Sequence, residues 1–274
     1  MKPRLPTESD PKPTDGDLVV GDPQADLEGF KGVLKAANWN PDKQQVFSIG
    51  DNIDRGPKAK EMMEFMDNYG IHSILGNHDW KMARYVQHHI NGAATGKANP
   101  IKPNPEMQDT IDQFGPDLIK HGVKMKDYPL YLPFEDSQGK GYLMHGGPSN
   151  HPIEKQDPNM MLVRRQNPHP PQFMRGESEE FPAWQKSYNG HLGTILHGHN
   201  GTPTADYHRN PHVISLDGSG SIGKHAMNKD SQEEKWMGHH RLVRLGDRKI
   251  FESPGSSESE AYYGNMIAKG AYSQ

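Results

Sequence analysis

Short polar clusters that follow apolar runs carry the residues of this chain that could do chemistry. In chain order they are Gly21-Asp22-Pro23-Gln24, Gly50-Asp51-Asn52-Ile53-Asp54-Arg55-Gly56, Gly76-Asn77-His78-Asp79, His145-Gly146-Gly147 and Gly198-His199. Together they supply carboxylates, amides, imidazoles and a guanidinium, which are the groups that two divalent cations, a water molecule and a phosphate require. The pattern therefore favours metal-assisted hydrolysis of phosphoesters.

Asp51 is the best candidate for a carboxylate that bridges two cations at the ~3.5–4 Å spacing of two-metal sites. Further ligands would come from separate loops: Asp22 and Gln24 for one cation, and Asn77, His145 and His199 for the other. Water bound to such cations becomes hydroxide near neutral pH and attacks phosphorus. Arg55 would then neutralise charge on the phosphoryl oxygens, and His78 would protonate the leaving group.

Apolar runs of strand length precede these clusters and must position them. They cover residues 18–20, 46–49, 71–75, 142–144, 194–196 and 213–216. Because ligands of α/β sheets bind outside the carboxyl ends of the strands, these runs predict one site built from several loops. Helix-like stretches at 26–37, 57–69, 79–90 and 105–120 separate or follow the early strands. The alternation predicts an α/β fold with a parallel or mixed sheet.

The composition excludes several classes of function. The net charge of the 274 residues is -4, without a long basic block, so we expect no extended nucleic-acid binding. The absence of cysteine excludes thiolate nucleophiles, cysteine zinc sites and disulfides. No apolar stretch has the length of a signal peptide or a membrane span, which predicts a soluble, cytoplasmic protein without a membrane partner.

Differences in composition along the chain predict its organisation. Residues 18–251 are expected to form a single domain, preceded by a flexible segment at 1–17 and followed by a flexible, Ser/Gly/Glu-rich tail at 252–274. A Pro-rich, polar stretch at about 150–189 is interpreted as an insertion or cap that faces the substrate. Its arginines are candidate phosphate contacts: Arg164, Arg165 and Arg175. For Arg164 and Arg165, an ordinary surface charge pair is the alternative.

The motifs GDxxDRG at 50–56, GNHD at 76–79 and HGG at 145–147 resemble those of the calcineurin-like metallophosphoesterases. The resemblance spans about residues 18–245. It is closer to the branch that holds the Ser/Thr phosphoprotein phosphatases and the bacterial and phage diadenosine tetraphosphate hydrolases. It implies a two-sheet αββα sandwich with flanking helices.

The same resemblance implies a role for each matching residue. Asp51 would bridge the two metals and Asp22 would bind the first, while the second would be held by Asn77, His145 and His199. Arg55 would grip the phosphate, and Asp54 would orient His78 as the general acid. The metals would be divalent, with manganese favoured and magnesium, nickel, zinc or iron as alternatives.

Two positions depart from the common family pattern. Gln24 stands where the family usually has histidine, and its amide oxygen is a harder, weaker donor that would tilt the first site toward manganese or magnesium. The last motif reads His197-Gly198-His199-Asn200 and offers two histidines for one ligand role. We choose His199 from the Gly-His match, with His197 as the alternative. Asp79 and the segment 217–220 look more like the bacterial enzymes than the eukaryotic protein phosphatases.

The sequence leaves the substrate open. A phosphoprotein or small phosphoester is one hypothesis, and symmetrical cleavage of diadenosine tetraphosphate is the other. The second would need a surface for base stacking, which Trp184 and Tyr188 could provide unless they belong to the core. A third hypothesis, suggested by Pro23 and Gln24 in the first motif, is a catalytically weak binding module on the same fold.

Some other conspicuous residues have ordinary structural explanations. His88-His89 and His239-His240 lack a partner at ligand spacing and are expected on solvated surfaces. Met62, Met63 and Met66 follow helical spacing and are expected to fill the core.

Overall fold

Two stacked sheets form the centre of the structure, a computed structural model that describes residues 1–165, 183–225 and 238–270. The strands are β1 (Leu18–Val20), β2 (Val46–Ser48), β3 (His72–Ser73), β4 (Tyr131–Asp136), β5 (Gly139–Met144), β6 (Thr194–His197), β7 (Val213–Ser215), β8 (His239–Arg244) and β9 (Ile250–Pro254). The first sheet has the strand order β3-β2-β1-β8-β9, and the second has the order β4-β5-β6-β7. Strands β1 to β3 are parallel to one another, as are β5 to β7.

Helices surround both sheets in the described ranges. They are α1 (Leu27–Ala36), α2 (Ala59–Asn68), α3 (Asn77–Thr95), α4 (Pro105–Phe114), α5 (Leu118–Lys126), α6 (Pro158–Val163), α7 (Trp184–Ser187) and α8 (Ser257–Ala268). Asp26 and Asn104 cap the first turns of α1 and α4 with their side chains, and Pro105 begins α4 at a position where its missing N–H costs nothing.

The core explains why these layers stack. Val19 and Phe47 of the first sheet pack between the sheets against Leu143 and Leu196 of the second. Because successive side chains of a strand point to opposite faces, Leu18 lies on the other face, where α1 and α2 cover it. The centre of each sheet is therefore buried on both faces, and the predicted two-sheet αββα sandwich with flanking helices is confirmed.

The structure differs from the sequence-based expectation at both ends of the chain. Residues 252–268, predicted as part of a flexible tail, form the end of β9 and helix α8. Ser256 caps α8, Tyr263 is buried, and the hydroxyl of Tyr262 donates to Asp109 on α4. In the predicted flexible segment at 1–17, the side chain of Arg4 pairs with Asp10. The backbone carbonyl of Arg4 accepts a hydrogen bond from the backbone N–H of Leu130, which ties this segment to the rest of the fold.

Other details of the prediction also change. Strands β4, β8 and β9 were not predicted, and His240, expected at the surface, is buried on β8. Met62, Met63 and Met66 are buried in the core, as expected. Within the described ranges, no helix is both long and apolar enough to cross a membrane.

Asp26 ties the beginning of α1 to the later strands. Its buried carboxylate accepts hydrogen bonds from the backbone N–H of Gly29, from both the backbone N–H and the hydroxyl of Ser256, and from Nε2 of His240 at 2.9 Å. Burial on its own would raise the pKa of Asp26, but the hydrogen bonds from His240 and Ser256 lower it to about 2. The ionised carboxylate is therefore the form that the fold stabilises.

We expect Asp26→Ala to lower the free energy of unfolding by about 3 kcal/mol, because it removes a helix cap and leaves the buried His240 without its acceptor. Urea denaturation at pH 7 measures this loss. The difference should shrink as the pH falls from 3.8 toward 2, since the carboxylate of the unfolded chain then takes up a proton while the folded one stays ionised until about pH 2. Asp42→Ala, at an exposed position, is the control, and equal stabilities of the two variants would contradict the prediction.

Candidate active site

The polar residues that follow the parallel strands converge at one edge of the two sheets. They are Asp22 after β1, Asp51 after β2, Asn77 after β3, His145 after β5 and His199 after β6. Parallel strands end on the same side, so the loops that follow them meet there. The fold thus assembles residues that lie up to 177 positions apart in the chain, the separation between Asp22 and His199.

The backbone at this edge is strained. Gln24, Asp51, Asp54, Arg55 and His199 have positive φ angles of 48°, 52°, 67°, 65° and 63°. Each such conformation costs a non-glycine residue about 1–3 kcal/mol and persists only where the surroundings fix it. Glycines allow the close approach of neighbouring loops: a Cβ on Gly76 would overlap Asp51, and one on Gly198 would overlap Asp22.

His145 lies at the centre of the cluster. Its Nδ1 donates to the carbonyl of Ile49 at 2.9 Å, which leaves Nε2 facing Asn77 Oδ1 at 2.9 Å and Asp51 Oδ2 at 3.2 Å. Asp51, His145 and His199 each offer a ligand atom within 4.8 Å of the others. Fixing Nδ1 on a backbone carbonyl is how proteins orient an imidazole that binds a metal through its other nitrogen.

The carboxylate of Asp22 has one oxygen to which no described residue donates a hydrogen bond. Oδ2 accepts from the backbone N–H of His199 at 3.0 Å, whereas Oδ1 is buried and has no hydrogen-bond partner among the described residues. Burial, together with the nearby negative charge of Asp217, raises the pKa of Asp22 well above its usual value. A divalent cation would satisfy such an oxygen, so the residues present fit a metal.

Charge within the cluster is balanced by histidines. Burial would raise the pKa of Asp51, but the positive charges of His145 and His78 lower it strongly. Conversely, burial would lower the pKa of His145, but Asp51 and Asp22 raise it to about 10. In the absence of a cation, protonated imidazole therefore supplies positive charge beside the carboxylates.

Gln24 is buried beside the cluster, but its amide oxygen already has a donor. The hydroxyl of Ser221 lies 2.5 Å from Oε1, and the backbone N–H of Gln24 donates to the carbonyl of Asp51 at 2.9 Å. Its side chain is thus held by a residue outside the motifs.

The two candidate histidines of the last motif differ clearly. His197 is buried in β6, where Nδ1 donates to the carbonyl of Gly198 and Nε2 lies 3.0 Å from the hydroxyl of Ser215. His199 extends beyond the strand, with its ring 5.2 Å from that of His145. The geometry therefore favours His199 over His197 as the metal ligand.

His78 and Asp54 form a hydrogen-bonded pair at the edge of the cluster. Nδ1 of His78 donates to Asp54 Oδ2 at 2.6 Å, while Nε2 lies 3.9 Å from Asp51 Oδ2. Burial on its own would lower the pKa of His78, but Asp51 and the hydrogen bond to Asp54 raise it to about 9. A protonated Nε2 that faces the cluster can donate a proton to a leaving group.

Arg55 lies next to this pair and is anchored through Nε, which is 3.2 Å from Glu106 Oε1. Asp54, His78 and Glu106 also bring ligand atoms within 4.8 Å of one another. These atoms already have partners: Asp54 and His78 share a hydrogen bond, and Glu106 pairs with Arg55.

The arginines of the predicted cap have separate positions. Nε of Arg165 donates to Nε2 of His199 at 3.3 Å, which brings this guanidinium to the candidate site. Arg164 is buried, and its Nε has no partner in the described part of the chain. Arg175 lies outside the described residues. Trp184 and Tyr188 are buried in the core, so they do not form the surface for base stacking that the sequence allowed.

Several residues near the site were missed by sequence reasoning. Thr110 donates to Asp54, Glu106 pairs with Arg55, and Ser221 donates to Gln24. Thr110 and Glu106 lie on α4, away from every motif. The sequence indicates a link between them only through their spacing of four residues, which places them on one helix face.

Comparisons with known proteins agree with this geometry. Residues 18–227 match the family model for calcineurin-like phosphoesterases. A symmetrical bis(5'-nucleosyl)-tetraphosphatase of Ectopseudomonas mendocina (strain ymp) is 30% identical over 97 residues, or 34% of this chain and 35% of the relative. The corresponding protein of Aliivibrio fischeri (strain MJ11) is 32% identical over 94 residues, again 34% of this chain and 35% of the relative. The chain thus matches about a third of the length of these relatives.

Solved structures support the fold alone. One, named only provisionally as a diadenosine tetraphosphatase, has a TM-score of 0.61 and 16% identity, over 93% of this chain and 99% of that chain. The hypothetical protein PH1004 of Pyrococcus horikoshii OT3 has a TM-score of 0.54 and 11% identity, over 95% of both chains. Since the family model matches more than half of the sequence, this chain belongs to the calcineurin-like phosphoesterase family.

Proposed function

We propose that the protein is a phosphoester hydrolase that works with two divalent cations. The observation that carries the proposal is the buried Oδ1 of Asp22, which has no hydrogen-bond partner in the described ranges and lies beside Asp51, His145 and His199. In addition, His78 Nε2 lies 3.9 Å from Asp51 Oδ2, so a proton donor faces the same cluster; this pairing favours an enzyme over a binding module.

In this proposal, five side chains hold the cations: Asp22, Asp51, Asn77, His145 and His199. Gln24 supports the first of the two sites. When bound, the cations would polarise the phosphoryl group and lower the pKa of the attacking water. Manganese or magnesium is favoured, because three of the five proposed ligands are carboxylate or amide oxygens, which suit hard cations.

The chain itself would supply phosphate binding and proton transfer. Arg55 binds the phosphoryl oxygens: Glu106 holds its Nε, and no hydrogen bond to another described residue occupies its terminal nitrogens. As the bond from phosphorus to the leaving oxygen breaks, His78 gives its Nε2 proton to that oxygen. Asp54 keeps the proton on Nδ1 and stabilises the ring in the required orientation. Arg165, close to His199, is a further candidate for phosphate contact.

Dinucleoside tetraphosphates are the more specific substrate candidate. The named function of the similar bacterial proteins supports them, whereas a phosphoprotein substrate has no comparable support from those relatives. Because Trp184 and Tyr188 are interior, the bases would have to contact other residues.

Metal binding should distinguish the two histidines of the last motif. We expect His199→Ala to weaken binding of Mn²⁺ by at least about tenfold, because it removes a proposed ligand. His197→Ala should keep the affinity near that of the wild type but lower the melting temperature, since His197 is a buried strand residue. Isothermal titration of metal-stripped protein with Mn²⁺ gives the affinities, and the reverse result would assign the ligand to His197.

Activity should depend on both parts of the site. We expect metal-stripped protein to hydrolyse p-nitrophenyl phosphate only after a divalent cation is added. The rate of hydrolysis should fall about 100-fold or more in Asp51→Asn and in His78→Asn, while both variants remain folded. His89→Asn, on the exposed face of α3, is the matched control. Full activity of purified Asp51→Asn would exclude the proposed mechanism.

The substrate is tested separately, with Mn²⁺-loaded protein and chromatographic analysis of products. Symmetrical hydrolysis of diadenosine tetraphosphate yields two ADP molecules. We expect a higher kcat/KM for this reaction than for release of phosphate from a phosphoserine peptide, in keeping with the similar bacterial proteins. The opposite ranking would favour the phosphoprotein hypothesis.

A further inference from the structure

Helix α4 lies outside the sequence motifs but forms hydrogen bonds to two residues of the proposed active site. Glu106, in its first turn, accepts from Nε of Arg55 at 3.2 Å. Thr110, one turn later, donates its hydroxyl proton to Oδ1 of Asp54 and is completely buried. A single face of α4 therefore contacts both the phosphate-binding arginine and the carboxylate that supports the general acid.

The contact from Thr110 completes the hydrogen bonding of Asp54. Oδ2 of Asp54 accepts from Nδ1 of His78 at 2.6 Å, and Oδ1 accepts from Thr110. The other acceptor near the hydroxyl, the carbonyl of Glu106, is more distant at 3.4 Å. With a donor on each oxygen, the carboxylate cannot rotate without losing a buried hydrogen bond, and the imidazole of His78 is fixed through it.

Helix α4 is itself tied to the loop that carries these residues. Gln113 accepts from the backbone N–H of Ala59 at 2.7 Å and donates to the carbonyl of Gly56 at 3.1 Å. Asn104 caps the beginning of the helix. Asn104 and Gln113 lie on either side of Thr110 along the helix. Their contacts, together with the hydrogen bond from Thr110 itself, therefore set the position of Thr110 relative to Asp54.

We propose that Thr110 is a positioning residue for proton transfer: through Asp54 it aims the Nε2 proton of His78 at the leaving oxygen. This inference rests on the proposed hydrolase function. It assigns a role to a residue that touches neither the metals nor the substrate. Thr110→Val removes the hydroxyl with little change in shape, whereas Thr110→Ser keeps it.

The test compares esters whose leaving groups differ in their need for a proton. Phenyl phosphate has a poor leaving group that depends on the general acid, while 2,4-dinitrophenolate leaves readily without one. We expect Thr110→Val to lower kcat on phenyl phosphate by about 10-fold to 100-fold and kcat on 2,4-dinitrophenyl phosphate by about twofold or less, with KM nearly unchanged. Thr110→Ser should restore the rate on phenyl phosphate.

The control is Thr95→Val on α3, where an exposed hydroxyl also bonds four residues back, and both rates should stay at the wild-type level. If Thr110→Val does not fold, Thr110→Ala provides the same loss of hydroxyl. Equal losses on both esters, no loss on either, or failure of Thr110→Ser to restore the rate would each overturn the inference. If the wild-type protein hydrolyses neither ester nor diadenosine tetraphosphate, that result would instead overturn the proposed function.

Discussion

The concentration of carboxylates in a water-poor junction between two sheets is the constraint on which the rest of this structure depends. Parallel strands bring Asp22 and Asp51 together, and burial makes their charges costly. Backbone N–H groups of His78 and His199 and the imidazole of His145 offset part of that cost. The Oδ1 atom of Asp22, for which the described part of the chain offers no hydrogen-bond donor, is the reason to infer a cation.

A layer of hydrogen bonds behind this junction holds the strained loops. Asp79 accepts from the backbone N–H groups of Gly76, Asp51 and Asn52, which joins the second motif to the third. Burial and the charge of Asp51 raise the pKa of Asp79 to about 7. On the outer side, α4 holds Asp54 and Arg55 in a similar way. The motif residues are thus positioned by partners that contribute no chemistry of their own.

The sequence predicted those features of the fold and the site whose interacting residues are neighbours in the chain. The motif strands were predicted because β-branched runs and the polar residues after them are neighbours in the chain. Strand β8 was missed because it begins His239-His240-Arg241. The partners of these polar side chains are Asp26 and Thr202, which are distant in sequence, and Glu252 on the adjacent strand β9. Thr110 was missed for the same reason. The assignment of His199 as a ligand stays a prediction; the structure shows that the strand ends at His197 and that His199 lies beyond it.

The strand order has a consequence for how the protein is made. β1 lies between β2 and β8, so one edge of the first strand stays unpaired until residues 239–244 have been synthesised. Asp26 and Gln24, which follow that strand, likewise obtain their partners from residues 221–256. Segments that complete early on the ribosome generally fold first, but here the N-terminal strand must wait for a late one. The edge of β1 that β8 covers is therefore left open until late in translation.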